Sequence, residues 1–168
     1  MSDVDLEKIK LLPRSEQQRI LKLLHSAKET KRVKDAQCTF AGFRSKMWPD
    51  FIGGKHLDKI AEICDRIVAG TLKRVCISVP PRHSKSEHFS WLLPSFVIGR
   101  KPDSKIMEIC NLAERAADWG RKVRDTINSP EYQDIFPGVH VRDDSRAASR
   151  WNTNHGGDYF ATGVGGAL

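Results

Sequence analysis

The hydrophobic pattern of the chain changes its period partway along, and this change limits the folds that the sequence can adopt. Apolar residues recur at helical spacing over residues 57–67. The next apolar run, Val75–Val79, is short, continuous and rich in β-branched residues, and Pro80-Pro81 ends it. Such a run is typical of a strand that is buried on both faces, as in a parallel sheet. A polar loop follows it, and then an apolar helix over about residues 86–98, which Pro94 is expected to kink or end.

The same alternation continues in the second half of the chain. Residues 105–110 predict another strand, and the apolar positions of residues 112–127 step by three and four, as on an amphipathic helix. Ser129-Pro130 is expected to end that helix, with short strands around His140 and over residues 159–161. The order β, α, β, α predicts an α/β fold built on a parallel sheet.

The chain divides into two parts by composition. Residues 1–37 predict a helical N-terminal segment, and residues 38–168 predict the domain that contains the sheet. The basic run over residues 28–34 is either a solvated helix end or linker, or an arm that contacts DNA or a partner protein. Four basic residues on one predicted helix leave the same choice between a solvated face and a DNA-facing or neighbour-facing one: Arg115, Arg121, Lys122 and Arg124.

The charge and cysteine content limit the possible partners and compartment. The formal net charge of +7 is compatible with a polyanionic partner. The four cysteines are widely spaced without a C-x-x-C pair, which disfavours a zinc site, and Cys64, Cys76 and Cys110 are expected to be buried apolar residues. The polar N-terminus is unlike a signal peptide, and the longest nearly apolar stretch, residues 91–99, is too short to span a bilayer. We expect a soluble cytosolic protein.

The loop over residues 82–87 contains the residue types of a phosphate site. In a P-loop, backbone N–H groups and a helix N-terminus point at phosphate oxygens, a lysine neutralises the β- and γ-phosphates, and a Ser or Thr hydroxyl ligates Mg²⁺. Lys85-Ser86 occupy the place of that pair, and Arg82 adds a second cation. The pattern G-x-x-x-x-G-K-[ST] is not met, because Val79 and Ser84 stand at the two glycine positions. These residues alone leave open a nucleotide site or a basic surface turn after an edge strand.

The run Pro80-Pro81-Arg82-His83-Ser84-Lys85-Ser86-Glu87 resembles the deviant Walker A motif of the large terminase subunits of tailed phages, the motors that package DNA into procapsids. The resemblance covers residues 40–168, and the flanking segments follow in the same order. They are Trp48-Pro49-Asp50-Phe51-Ile52 with His56, Gly99-Arg100-Lys101-Pro102-Asp103, Phe136-Pro137-Gly138, Arg150-Trp151-Asn152-Thr153 and Gly163-Val164-Gly165-Gly166-Ala167-Leu168.

This resemblance implies an additional-strand P-loop ATPase domain that couples ATP hydrolysis to translocation of double-stranded DNA, followed by an RNase H-like nuclease domain. It implies that Lys85 binds the β- and γ-phosphates, that Ser86 binds Mg²⁺, and that Arg82 acts on the γ-phosphate in cis. The segment near His56 corresponds to the family's adenine-contacting region, without its usual glutamine. The residues to which it assigns nucleotide binding are Arg82, His83, Ser84, Lys85, Ser86 and Glu87.

The resemblance also implies partners and a missing part. The partners are double-stranded DNA, the procapsid portal, the small terminase subunit and further copies of the chain, in the cytoplasm of an infected bacterium. The family's acidic Walker B strand would follow Leu168, and the pair Asp143-Asp144 is expected at the surface instead. We therefore expect the front part of a longer enzyme, which binds nucleotide weakly and hydrolyses it very slowly, since losing a general base costs roughly 10²–10⁴-fold. The alternative is a non-catalytic module that binds DNA or docks on another packaging protein.

Overall fold

The computed structural model describes residues 12–165, apart from the side chain of Arg146. The first residues of the predicted N-terminal segment and the last three residues of the chain lie outside this range. The helices in chain order are α1 (Arg14–Cys38), α2 (Phe40–Met47), α3 (Lys55–Val68), a π-helix (Glu87–Leu92), α4 (Leu93–Arg100), α5 (Ala113–Ile127) and α6 (Pro130–Ile135). The strands are β1 (Lys105–Cys110), β2 (Val141–Arg146), β3 (Arg150–Thr153) and β4 (Asp158–Gly163).

Local sequence signals account for several of the helix ends. The Thr39 hydroxyl accepts a hydrogen bond from the Gly42 N–H at 3.1 Å and caps α2. The Ser129 hydroxyl caps α6 in the same way, with Pro130 as the first helical residue. Gly70 ends α3 with a φ of +76°, a conformation that glycine adopts without strain. Ser129-Pro130 therefore ends one helix, as predicted, and also begins the next.

The sheet has the strand order β1-β4-β3-β2. Strands β1 and β4 are parallel, with Lys105 opposite Asp158 and Cys110 opposite Gly163, while β3 pairs antiparallel with both β4 and β2. The α/β prediction is confirmed, but the prediction of a parallel sheet is wrong because this sheet is mixed. Short connections join β2 to β3 and β3 to β4, and such connections join antiparallel strands only.

The predicted strand Val75–Val79 is also wrong. Residues 72–80 have no regular secondary structure, Val75 is 45% exposed, and Cys76 lies at the surface. A buried strand needs neighbours that pair with its N–H and C=O groups, and the described sheet ends at β1 without reaching this run. The run therefore keeps the composition of a buried strand but lacks the pairing that would bury it.

An aromatic cluster joins the helices behind the loop that precedes the π-helix. Phe43 lies between the rings of Phe96, Tyr132 and Phe136, with centroid distances of 5.2, 6.1 and 6.0 Å. On the sheet, Trp151 stacks on Tyr159 at 4.7 Å and donates its indole N–H to the Gly120 carbonyl of α5. These contacts join α2, α4 and α6 to one another, and they hold α5 against the sheet.

The cysteines only partly follow the prediction. Cys64 is fully buried, and this burial raises the pKa of its thiol to about 12. Cys110 is half-buried, whereas Cys76 is exposed because its segment is not part of the sheet. The prediction of a buried Cys76 is therefore wrong.

Helix α1 projects from this core along most of its length. Residues 21–32 are exposed, and the helix becomes buried only near Ala36. At its end, the Gln37 side chain donates to the Ile135 carbonyl at 2.7 Å, and Arg100 donates to the Gln37 carbonyl at 2.6 Å. Among the described residues, no helix combines the length and the apolar character that a membrane crossing requires.

Candidate functional site

The loop predicted to bind phosphate borders a concavity of about 410 Å³. Residues 79–87 form most of its lining, and Trp119 of α5 forms the opposite wall. The chain turns over residues 81–84 and becomes helical at Lys85, so that Lys85 and Ser86 open the helix that continues through the π-helix to Arg100. The structure thus brings all six predicted loop residues to one cavity.

The backbone of this loop is unusual for its residue types. Arg82 and Ser84 have φ values of 63° and 56°, and both lie in the left-handed region, which non-glycine residues seldom adopt. His83, between them, lies outside that region. Left-handed residues in alternation direct successive N–H groups toward a common point, which is a geometry that binds anions. Ser84 therefore takes a glycine-like conformation at the second glycine position of the P-loop pattern.

The charged groups of the loop are available to a ligand. Arg82, Lys85 and Ser86 are exposed, and in the described part of the chain the two cationic side chains form neither a hydrogen bond nor an ion pair. The N-terminus of the helix adds partial positive charge at Lys85. Two cations and a helix terminus beside a concavity are suited to binding an anion with several charges.

The imidazoles of His83 and His56 meet beside the loop. The ring centroids are 5.6 Å apart in an edge-to-face arrangement, and the His83 Nδ1 lies 2.9 Å from the Pro81 carbonyl oxygen. His56 is in the first turn of α3, 27 positions earlier in the chain. The segment that the resemblance relates to adenine contact is therefore adjacent to the loop.

A buried polar network supports the loop from the interior. His88 is fully buried, and its Nδ1 lies 2.7 Å from the Ser84 carbonyl oxygen. Its Nε2 lies 3.4 Å from Arg44 Nη1, which also donates to the Leu57 carbonyl at 2.9 Å. Burial lowers the pKa of His88, and the nearby Arg44 charge lowers it further. Both effects favour the neutral form of this imidazole.

Beside the far wall, a lysine of α5 lies against two tryptophan rings. The Lys122 Nζ lies 3.8 Å from the Trp91 ring centroid and 5.4 Å from that of Trp119. Burial lowers the pKa of Lys122, while the nearby carboxylate of Glu87 opposes this change. A second concavity of about 290 Å³ lies between Ser86 and this wall. The carboxylate of Glu87, one of the predicted loop residues, therefore interacts with the charge of Lys122 on α5.

The sequence predicts the loop but not the residues that surround it. Trp119 appears in the sequence only as one apolar position of an amphipathic helix, and His88 only as a histidine five positions from His83. Arg44 gives no signal in the sequence, because its role depends on a contact across 44 positions. A fully buried His beside a buried Arg can be recognised only after folding brings them together.

The other charged residues singled out in the sequence are paired or exposed. On α5, Arg121 bonds to Asp118 at 2.7 Å and Arg124 to Asp125 at 2.8 Å, which favours the solvated interpretation of that helix. Asp143-Asp144 lies exposed on β2, as expected for a surface pair. Over residues 12–165, no cluster of three or more His, Cys, Asp or Glu side chains could hold a metal ion.

Comparison of the chain with protein-family models, with curated proteins and with solved structures finds no match.

Proposed function

We propose that the loop over residues 82–87 binds the phosphates of a nucleotide, and that the chain is the nucleotide-binding front part of a DNA-packaging ATPase of the terminase large-subunit type. The observation on which this depends is the left-handed conformation of Ser84 directly before the exposed Lys85. A strained serine at this position supports a functional loop, because left-handed non-glycine residues concentrate at functional sites. The remaining motor, including the acidic strand, nuclease domain, portal and small subunit, belongs to the proposal through the resemblance.

The residues present fit the phosphate part of ATP well. Lys85 and Arg82 supply charge, the loop N–H groups supply donors, and the helix terminus supplies a favourable dipole. For Mg²⁺ the loop supplies one hydroxyl, Ser86, and phosphate oxygens and water would complete the octahedron that this ion requires. Bound Mg²⁺ would neutralise charge between the phosphates, and Lys85 would hold the β- and γ-phosphates in place.

Titration with a fluorescent ATP analogue and Mg²⁺ tests the site. We expect saturable binding by the full chain and a loss of at least about tenfold in affinity for Lys85→Ala, because an ionic hydrogen bond contributes roughly 1.5–3 kcal/mol. Lys105→Ala removes an exposed lysine of β1 that lines neither concavity at the loop, and serves as the matched control. Equal affinity of Lys85→Ala and the unmodified chain would contradict the proposed site.

A second candidate function is DNA binding through α1. This helix contains seven basic residues against three acidic ones, and most of it is exposed. A projecting basic helix is suited to contact with phosphate groups of a duplex. This candidate needs no nucleotide site and corresponds to a non-catalytic module that binds DNA or docks on a packaging protein.

A further inference from the structure

We infer that Arg44 and His88 form a positioning pair that sets the conformation of Ser84, and with it the N–H groups of the phosphate loop, from inside the protein. The inference deepens the proposed function and rests on it for its role in nucleotide binding. Its basis is that the Ser84 carbonyl accepts two hydrogen bonds from one residue. The His88 backbone N–H donates to it at 3.1 Å, and His88 Nδ1 lies 2.7 Å away.

The surroundings of His88 select one tautomer. A carbonyl oxygen only accepts, so Nδ1 must bear the proton that bonds to Ser84. A guanidinium only donates, so the Nε2 that faces Arg44 Nη1 at 3.4 Å must be unprotonated. Arg44 thereby fixes which nitrogen of His88 is available to Ser84.

Arg44 is itself held by α3 and by an aromatic ring. Its Nη1 donates to the Leu57 carbonyl, its Nη2 lies 3.5 Å from Asp58 Oδ1, and its guanidinium carbon lies 4.0 Å from the Phe51 ring centroid. These contacts connect α2 and α3 to the π-helix and then to the loop. The chain of contacts therefore runs from α3 through Arg44 and His88 to Ser84.

Packing alone does not explain these two residues. His88 lies among the rings of Phe40, Trp48 and Phe51, at centroid distances of 6.0, 6.3 and 5.7 Å, where a phenylalanine would pack as well. Arg44 is only 4% exposed, and its Nε is buried without a hydrogen-bond partner among the described residues. A buried charge is costly to desolvate, and a left-handed serine is strained. The desolvation of Arg44 and the backbone strain of Ser84 are connected, because Arg44 and His88 together hold the strained residue in place.

Substitutions that keep or remove single nitrogens of His88 test the inference. His88→Asn places an amide N–H near the Nδ1 position, His88→Gln places one near Nε2, and His88→Phe removes both. We expect affinity for the fluorescent ATP analogue to fall about tenfold in the Phe and Gln variants and to stay within about threefold in the Asn variant. His25→Phe on exposed α1 is the matched control. Wild-type affinity in His88→Phe would overturn the inference and leave the proposed function standing.

A second measurement is independent of nucleotide. NMR of the histidine nitrogens is expected to show the Nδ1–H tautomer in the unmodified chain and a tautomer mixture in Arg44→Met. Amide hydrogen exchange over residues 84–88 is expected to accelerate in His88→Phe but not in His88→Asn. An Nε2–H tautomer, or unchanged exchange in His88→Phe, overturns the positioning role. If the unmodified chain and Lys85→Ala both fail to bind nucleotide, the proposed function fails while these two readouts still decide the role of the pair.

Discussion

At the residue scale, Ser84 explains why a motif search misses this loop while the backbone satisfies it. The P-loop pattern requires glycine for its φ freedom, and here a serine takes the left-handed conformation. The sequence places Lys85 and Ser86 correctly at the start of the helix, because a Lys-Ser pair after a turn can be recognised from neighbouring residues alone. The buried pair that holds Ser84 comes partly from Arg44, 40 positions away, and no local pattern contains such a contact.

The titration of His88 gives a prediction for pH. Burial and the charges of Arg44 and His56 lower the pKa of His88 in the folded state, and the hydrogen bond to Ser84 and the charge of Glu87 only partly oppose this change. As the pH falls, the unfolded chain therefore binds a proton at His88 before the folded chain does. The contribution of His88 to stability is therefore complete above its unfolded pKa of roughly 6.5 and is lost as pH falls below it. We expect the free energy of unfolding to fall by up to about 1.4 kcal/mol per pH unit from this group.

Urea denaturation at several values between pH 7.5 and pH 5 measures this slope. In His88→Asn the residue at position 88 no longer titrates, so the stability of this variant should depend less on pH than that of the unmodified chain. Identical slopes for the two proteins would show that His88 does not control the acid limb.

At the element scale, amphipathic helices were predicted well and the buried strand was not. The stripes of α3 and α5 specify a helix and its buried face through spacing within a single segment. The residues of a strand do not by themselves determine whether it forms, because the strands that must pair with it lie elsewhere in the chain. Val75–Val79 has the right composition, but the sheet was built from β1 and three strands near the C-terminus.

The packing of α5 on the sheet gives a prediction at Gly120. A Cβ at this position would lie 2.5 Å from the Ala148 carbonyl oxygen and 3.2 Å from the Tyr159 ring, and the carbonyl belongs to the backbone. Helix propensity alone favours alanine over glycine by roughly 1 kcal/mol. We expect the clash to dominate and Gly120→Ala to lower stability by about 1–3 kcal/mol.

Thermal or chemical denaturation of Gly120→Ala gives the sign directly. Ala117→Gly, one turn earlier on the same helix, reports the propensity effect in the reverse direction together with the loss of one half-buried methyl group. A Gly120→Ala protein more stable than the unmodified chain would mean that α5 does not approach residues 148 and 159 so closely.

At the scale of the whole molecule, the sequence predicted the α/β class but not the order or direction of its strands. Helix and strand types follow from periodicity, whereas direction depends on connection lengths between β2, β3 and β4, which the sequence marked only weakly. The sequence predicted only the loop of the candidate site, whereas the structure shows a cavity beside it. The wall at Trp119 and the supporting residues His88 and Arg44 come from three separate helices, which no local pattern brings together.

The uneven distribution of charge gives a prediction for nucleic acid. Helix α1 presents exposed lysines at positions 28, 31 and 34, whereas Arg121 and Arg124 of α5 pair with acidic neighbours. If α1 binds duplex DNA, log Kd should rise with log salt by roughly 0.9 per phosphate contacted. We expect replacement of the three lysines by alanine to lower that slope by about two to three.

Fluorescence anisotropy with a labelled duplex over a range of salt concentrations measures the slope. Arg121→Ala on α5 is the control and should leave the slope unchanged, because that arginine already pairs with Asp118. A slope near zero for the unmodified chain would contradict the proposal that α1 binds DNA.

The wide turn between Glu87 and Leu92 has a consequence for the direction of the loop. The Leu93 N–H bonds to the His88 carbonyl five residues back, so this turn holds one residue more than an α-helical turn. One extra residue rotates everything before it by about 100° relative to an unbroken α-helix. The direction in which Lys85 and Ser86 point therefore depends on this extra residue. Deleting one residue from the wide turn would rotate both side chains away from the concavity without changing either of them.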